Sequence, residues 1–238
     1  MIVSHLSKPR RSRINSFIKS IPFFACFSDE ELIDLESVLV EKHFSKNEVI
    51  LLEEDTPNYM YIVNSGRVKV VQTSIEGKEQ ILAIHNKGDF FGEMAILDGK
   101  TSPATVIAME DADIILIAKD DFERYLLKND KVLKEIISML CSRLREAWLM
   151  LKVLSFAHAE HRVRAVLKHV STQYGIKDQK GTIIKLKLTH KDIAGYTSLS
   201  RETVTRVLDR FSKAGEIEIL DNKYILLKPS FLKKILSL

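Results

Sequence analysis

The spacing of apolar positions changes character several times along this chain. Residues 14–40 carry a helical pattern. Within them "FSDEELIDLESVL" opens with Ser28 as an N-cap and has Glu31 three residues on, a capping box, and Leu32, Leu35 and Leu39 recur at helical spacing. From 43 to 118 short β-branched runs take over: "EVILLEE", "YMYIVNSG", "RVKVVQTS", "EQILAIH", "ATVIAME" and "DIILIA". Turn signals separate them at Asn64-Ser65-Gly66, Glu76-Gly77, Asn86-Lys87-Gly88 and Asp98-Gly99. Short strands at this spacing predict an antiparallel sandwich or barrel.

A short helix is predicted at 120–127 and a long one at 129–154. In the long one Leu133, Ile137, Leu140, Leu144, Ala147, Leu151 and Leu154 alternate spacings of four and three, a heptad seam. Val132, Ile136 and Met139 form a second stripe beside it. Two adjacent stripes predict one face on the barrel and one on a partner helix, so the seam is the expected homodimer interface. The pattern breaks at Ser155-Phe156. A helix follows at 158–173, then "TIIKLKL" as a strand, then "THKDIAGYT" and "SRETVTRVLDRFSKAG" as two helices separated by "SL". "EIEIL-DN-KYILL" predicts a hairpin with a two-residue Asp-Asn turn. Two helices joined by a tight turn and followed by a hairpin make a winged helix-turn-helix.

Charge supports that reading. The chain of 238 residues has a net charge of +4, unevenly spread. Residues 1–20 hold five basic side chains and no acid, 21–154 hold 15 basic and 24 acidic, and 155–238 hold 16 basic and 8 acidic. An acidic body with a basic last third points to a polyanion partner for that third alone. The basic "KPRRSR" near the start is expected to be a solvated tail. No apolar run approaches a membrane span of about 18 residues, and no signal-peptide h-region follows the basic start, so a cytoplasmic protein with no membrane partner is expected. Cys26 and Cys141 make neither a disulfide framework nor a metal motif. His158 and His161 in "HAEH" lack a third ligand type nearby, so no metal site is expected. A cupin-like enzyme on a β-roll needs a His-x-His cluster, and this region holds only His85 and His43. No catalytic residue and no cofactor are identified.

Thr189 and Ser200 stand where N-caps belong. Arg201, Glu202, Thr203, Thr205 and Arg206 fall in the first two turns of the second helix, while Val204, Val207 and Leu208 face inward. Arg suits guanine O6 and N7, Glu accepts from cytosine N4, and hydroxyls at a helix start suit phosphate.

"LTHKDIAGYTSLSRETVTRVLDRFSKAGEI" resembles the winged helix of the Crp/Fnr family of bacterial transcription regulators. The resemblance runs through "IPFFACFSDEEL", the strand region, "GDFFGEMAILDG" and the long helix, in family order. It implies an α+β fold: an N-terminal double-stranded β-roll like that of cyclic-nucleotide-binding domains, a long dimerisation helix, and a C-terminal winged helix-turn-helix. The expected divisions are a basic tail at 1–20, a sensor roll at 21–128, the dimerisation helix and hinge at 129–155, and the DNA-binding domain at 156–238. "SRETVTR" is the catabolite-activator version of the reading helix. It implies base contacts from Arg201, Glu202 and Arg206, phosphate contacts from Ser200 and Thr203 with Thr189, His190 and Lys191 as further candidates, and a palindrome of TGTGA-like half-sites. Double-stranded DNA, a second copy of the chain and RNA polymerase are the implied partners. The family often has Gly where this chain has Ser198.

"GDFFGEMAILDGKTSPATVIA" resembles the phosphate-binding cassette of cyclic-nucleotide domains. That implies effector contacts from Gly92 and Glu93. The family's phosphate-pairing Arg is replaced by Ser102, with Pro103 next, and a fork of charge-assisted hydrogen bonds is lost. Lys100 offers a point charge instead. On the long helix Ala147 and Trp148 stand where the family contacts adenine; Trp148 is expected to fill the pocket or the seam between barrel and helix. The effector is therefore unknown and not expected to be cAMP in the usual mode. A cyclic-nucleotide-responsive regulator is one alternative, and a ligand-sensing module that does not bind DNA is another.

Overall fold

The computed structural model of the chain describes residues 17–221 and 223–233; the basic "KPRRSR" segment lies outside them. The described residues form two compact units, one running to Thr73 with Ile81–Leu144, the other made of Ser74–Gln80 and the residues from Arg145 on.

In the first unit a 3-10 turn at Phe24–Cys26 precedes helix α1 (Asp29–Val38). Ser28 caps α1 by the capping box its sequence predicts, with Glu31 accepting from the Ser28 N–H at 2.8 Å. The helix expected across 14–40 is thus interrupted among the described residues: Phe17 and Ile18 are helical, a bend and the 3-10 turn follow, and α1 holds ten residues. Pro22 and the buried Phe23-Phe24 pair precede it, and Val40 already begins a strand. Strands follow as β1 (Val40–Phe44), β2 (Val49–Leu51), β3 (Tyr59–Ser65), β4 (Arg67–Thr73), β5 (Glu79–Asn86) and β6 (Phe90–Phe91). Helix α2 (Glu93–Asp98), β7 (Thr105–Ala108) and β8 (Ala112–Ala118) complete the roll. One sheet has the order β1-β8-β3-β6 and a second β2-β7-β4-β5.

Strand β8 shows why its sequence runs apolar from Ile114 to Ala118. Ile115 and Ile117 enter one core with Phe23, Phe24, Met60, Ile62 and Phe90. Ala112 and Ile114, pointing the other way, enter a second core with Phe44, Val63, Val68 and Phe91. Alternation across a pleated strand buries both faces here, so beyond Asp113 a period-two pattern is replaced by an apolar run.

After a helical turn at Lys119–Asp121 and a π turn at Phe122–Leu126 comes the long helix α3 (Asp130–Leu154). Val132 and Ile136 are buried in the first core, with Met139 and Leu140 packed against it. On the opposite side Ile137, Leu144, Trp148 and Leu151 are 50–65% exposed, and Ala147 is open. The heptad seam read from the sequence is therefore divided. Leu133, Leu140 and Leu154 are half-buried within their own chain, and Ile137, Leu144, Ala147 and Leu151 remain uncovered.

The second unit contains α4 (Ala159–Tyr174), β9 (Gly175–Asp178), β10 (Gly181–Ile184), α5 (His190–Thr197), α6 (Arg201–Lys213), β11 (Ile217–Ile219), β12 (Ile225–Leu227) and α7 (Pro229–Lys233). Its sheet order is β11-β12-β10-β9. The strand expected over "TIIKLKL" stops at Ile184. The wing also departs from its expected two-residue turn. Leu220 N–H donates to the Tyr224 carbonyl at 2.9 Å and Lys223 N–H to the Leu220 carbonyl at 2.7 Å, with Lys223 at φ 65°. That is the pattern of a three-residue hairpin loop ending in a left-handed residue.

One charged group holds this unit together. Arg164 is buried at 3% exposure and pairs with the buried Glu216 at 2.6 Å. Its guanidinium lies over the rings of Phe211 and Phe231, at 4.3 and 4.6 Å. Removing one partner of a buried pair leaves the other charge uncompensated, at a cost of about 3–5 kcal/mol. Arg164→Met should therefore lower the unfolding free energy of this unit by about that amount in urea titration, and the double change Arg164→Met with Glu216→Leu should recover most of it. A loss under about 1 kcal/mol for the single variant would contradict the assignment.

Candidate nucleic-acid interface and sensor pocket

Helix α5 starts at a second capping box. Thr189 accepts from the Asp192 N–H at 3.1 Å, and Asp192 Oδ2 accepts from the Thr189 N–H at 2.8 Å. The Thr189 hydroxyl also donates to Asp192 Oδ2 at 2.7 Å, so its proton is engaged within the motif. The helix ends at Ser198, whose φ of 53° is left-handed. For a residue with a Cβ that conformation costs about 1–2 kcal/mol, which the turn between the two helices imposes.

Helix α6 begins at Ser200, which accepts from the Thr203 N–H at 3.1 Å. Val204, Val207, Leu208 and Phe211 are buried and fix the helix on the unit. Arg201, Glu202 and Arg206 are left on the outer face, all exposed. Backbone N–H bonding at the helix start, then the Ser200 hydroxyl, hold the Glu202 carboxyl below its usual range. It is thus held as a hydrogen-bond acceptor on the exposed outer face of the helix. Arg206 leans toward Thr203 Oγ1 at 3.3 Å, and His190 Nδ1 lies 2.8 Å from the Thr205 hydroxyl. His190 is half-buried and Lys191 exposed.

Two clefts border α6. One of ≈ 220 Å³ has apolar walls of Leu188, Leu208, Ile219 and Ile225, with Lys187, Lys223 and His190 also lining it. The other, ≈ 430 Å³, is lined by His158, His161, Arg206 and Arg210 among others. Lys187, Lys223 and Arg210 add cations near the reading helix that spacing rules did not single out. A wing lysine is visible only once the hairpin is folded back beside α5.

In the roll, Gly92, Glu93, Ser102 and Pro103 line one cavity together with His85, Phe91 and Arg143. Gly92 caps α2 with φ 83°, and a Cβ there would lie 2.8 Å from the Tyr61 ring. Close packing on β3 therefore requires this glycine. Glu93 is 2% exposed and accepts from Arg143 Nη1 at 2.6 Å. Arg143 also donates from Nη2 to the Phe90 carbonyl and sits over the Phe90 ring at 4.6 Å. Burial raises the Glu93 carboxyl above its usual range against the pull of Arg143. Ser102 is buried, but its hydroxyl donates to the Ala104 carbonyl at 2.8 Å.

Lys100 and Trp148 do not join this cavity. Lys100 is 80% exposed in its side chain and lies 3.9 Å from Asp98, because the turn at Gly99 carries it outward. Trp148 is 61% exposed in its own chain. Arg143 is the residue that sequence reasoning missed. In a heptad pattern it reads as a solvated flank, and only the fold brings it to Glu93.

The cavity measures ≈ 80 Å³, well below the roughly 300–1,000 Å³ of small-molecule sites. Its one lining cation is already neutralised by Glu93. His85 is stacked parallel to Phe91, centroids 6.1 Å apart, and burial followed by Arg143 pushes its imidazole down to about 3. Among the described residues no group of three His, Cys, Asp or Glu side chains is placed to hold a metal, and no helix is long and apolar enough to cross a membrane.

Residues 41–129 match the cyclic nucleotide-binding domain, and residues 161–235 match the Crp-like helix-turn-helix domain. Over 206 residues the chain is 31% identical to the Anaerobic regulatory protein of Haemophilus influenzae, covering 86% of this chain and 79% of that protein. It is 29% identical over 202 residues to the Cyclic AMP receptor protein of Thermus thermophilus, covering 85% and 90%. Among solved structures it is similar to a mutant CooA from Carboxydothermus hydrogenoformans, with a TM-score of 0.72 and 27% identity over 84% of this chain and 87% of that one.

The buried imidazole makes the roll sensitive to acid. Unfolded, His85 takes a proton near its ordinary 6.5; folded, it does so only near 3. Between those values the unfolded chain holds the extra proton, so stability falls as pH falls, by up to about 1.4 kcal/mol per pH unit. Urea melts between neutral pH and about pH 5 should show His85→Leu losing less stability than the unsubstituted chain. Equal pH dependence would contradict the burial of a neutral His85.

Proposed function

Because the chain belongs to the Crp/Fnr family of bacterial transcription regulators, we propose that it acts as a homodimer on a palindrome of TGTGA-like half-sites. The observation that carries this reading is the exposed Arg201–Glu202–Arg206 face in the first two turns of a capped, firmly packed helix. Arg201 and Arg206 offer donor pairs to guanine edges, and Glu202 accepts from a cytosine amine. Ser200 and Thr203, with the helix start, face phosphate, Lys187 and Lys223 add charge at the flanks, and Lys191, paired with Glu79 at 3.2 Å, must exchange that partner to reach phosphate.

The uncovered Ile137, Leu144, Ala147 and Leu151 on α3 support a two-fold pairing of long helices. Such a pair presents two reading helices to half-sites one turn of DNA apart, about 34–36 Å. RNA polymerase is the proposed protein partner, and the site of action is the cytoplasm. The cavity beside Glu93 favours a regulator that does not use cAMP in the usual mode: its volume is small, its cation is paired, and Ser102 offers no fork. The match of 41–129 to the cyclic nucleotide-binding domain favours the second reading, a cyclic-nucleotide-responsive regulator. Calorimetric titration with cAMP separates the two; saturable heat that Glu93→Gln abolishes would favour the second.

On a TGTGA palindrome, Arg206→Ala should cost about 1–3 kcal/mol and relax discrimination at one guanine position. Lys223→Ala should weaken binding equally on all sequences and lower the salt slope by about 1. Mobility shifts on the palindrome and on scrambled half-sites read both. Equal loss on every sequence for Arg206→Ala would assign that arginine to phosphate.

A further inference from the structure

We infer that Thr205 fixes the tautomer of His190, so that the imidazole meets DNA phosphate through Nε2 and takes up a proton to do so. The inference rests on the DNA binding proposed above and deepens it, because it sets the proton balance of one contact in that interface.

The hydrogen bonds select the tautomer. Thr205 has one hydroxyl proton, and its Oγ1 lies 2.9 Å from the Arg201 carbonyl oxygen and 2.8 Å from His190 Nδ1. A carbonyl only accepts, so the hydroxyl donates to Arg201, one turn back along α6. Were the proton turned to Nδ1 instead, two acceptor oxygens would stand 2.9 Å apart with no proton between them. The Thr205 oxygen therefore accepts from His190, and Nδ1 carries the hydrogen. Nε2 of the neutral ring is left with a lone pair.

Position selects what that nitrogen meets. Thr205 lies one turn on from Arg201 and Glu202 and adjoins Arg206, so His190 is held beside the exposed reading face. His190 also lines the ≈ 220 Å³ cleft with Lys187 and Lys223, cations that draw the phosphate backbone there. A lone pair on Nε2 and a phosphate oxygen are both acceptors and repel. A proton on Nε2 turns the ring into a charged donor. The charged groups around it are Lys187 ahead of α5, Lys191 and Asp192 on α5, Arg201 on α6 and Lys223 on the wing. Of these, Lys191 is paired with Glu79 at 3.2 Å and Asp192 accepts from the Thr189 N–H. A phosphate arriving among them favours the imidazolium, so the proton enters with the DNA. Binding of this kind strengthens as pH falls and weakens as pH rises through the range where imidazoles titrate, about pH 5–8.

Two readouts on the full chain test this. Nitrogen-15 shifts of the imidazoles, with His190→Gln to assign the signal, report the tautomer without DNA. Nδ1–H is expected for neutral His190 in the unsubstituted chain and in Thr205→Ser, and a shift toward Nε2–H in Thr205→Val. Anisotropy of a labelled TGTGA duplex at fixed salt, from about pH 5.5 to about pH 8.5, reads the contact. The unsubstituted chain should lose affinity with rising pH more steeply than His190→Gln, by up to about tenfold per pH unit for each bound subunit. That comparison isolates His190 from His158 and His161, which line the other cleft beside α6. Thr205→Val should flatten the profile, since a neutral Nε2–H can then donate, and Thr205→Ser should keep it. An Nε2–H tautomer in the unsubstituted chain, or coincident pH profiles for it and His190→Gln, overturns the proposal and leaves DNA binding in place. A chain that binds no duplex at any pH overturns the DNA reading and this contact with it.

Discussion

A carboxylate taken out of water needs a cation, and at Glu93 that cation is Arg143. The pair sits where the start of α2 meets α3, with Glu93 nearly inaccessible and its partner 2.6 Å away. Breaking such a pair costs about 3–5 kcal/mol, because the remaining charge is stranded. Much else follows from it. Arg143 must reach inward, so it fills space beside His85 and Phe91 and leaves only a small cavity. It must lie on the roll-facing side of α3, which fixes the rotation of that helix. Val132 and Ile136 are then carried into the core, and Ile137, Leu144 and Leu151 are turned outward.

The two ends of the chain treat charge in opposite ways. In the roll, Arg143 is neutralised and shielded, and Ser102 turns its proton to its own backbone. Around α6, Arg201 and Arg206 remain exposed and Lys187 and Lys223 border the neighbouring cleft. Free cations attract a polyanion; paired ones do not. Exposed cations are thus gathered at the winged helix, whereas Arg143, the cation lining the roll's cavity, is paired with Glu93.

Much of this was legible in the residues. The capping box at Ser28 and the N-caps at Thr189 and Ser200 are local hydrogen-bonding motifs, and they formed where the sequence placed them. The strands with strong apolar runs were visible for the same reason. Strand β1 was not, because "VEKHF" lies on an edge and buries only Phe44. The division of the α3 seam was also hidden: a heptad pattern cannot say which of its stripes the chain's own roll will cover. Arg143 and Lys100 show the limit most sharply. One lies fifty residues from its partner and becomes part of the cavity; the other lies within the cassette and is turned out of it by Gly99. Proximity in sequence predicted the wrong one.

The central proposal is that the winged helix reads its palindrome without cAMP, the roll's cavity being small and its Arg143 already paired with Glu93. Fluorescence anisotropy of a labelled TGTGA duplex, titrated at fixed salt with and without saturating cAMP, tests it most directly. The account predicts tight, sequence-dependent binding with the same affinity in both titrations. Binding that appears only with cAMP, or that does not distinguish the palindrome from a scrambled duplex, would contradict it.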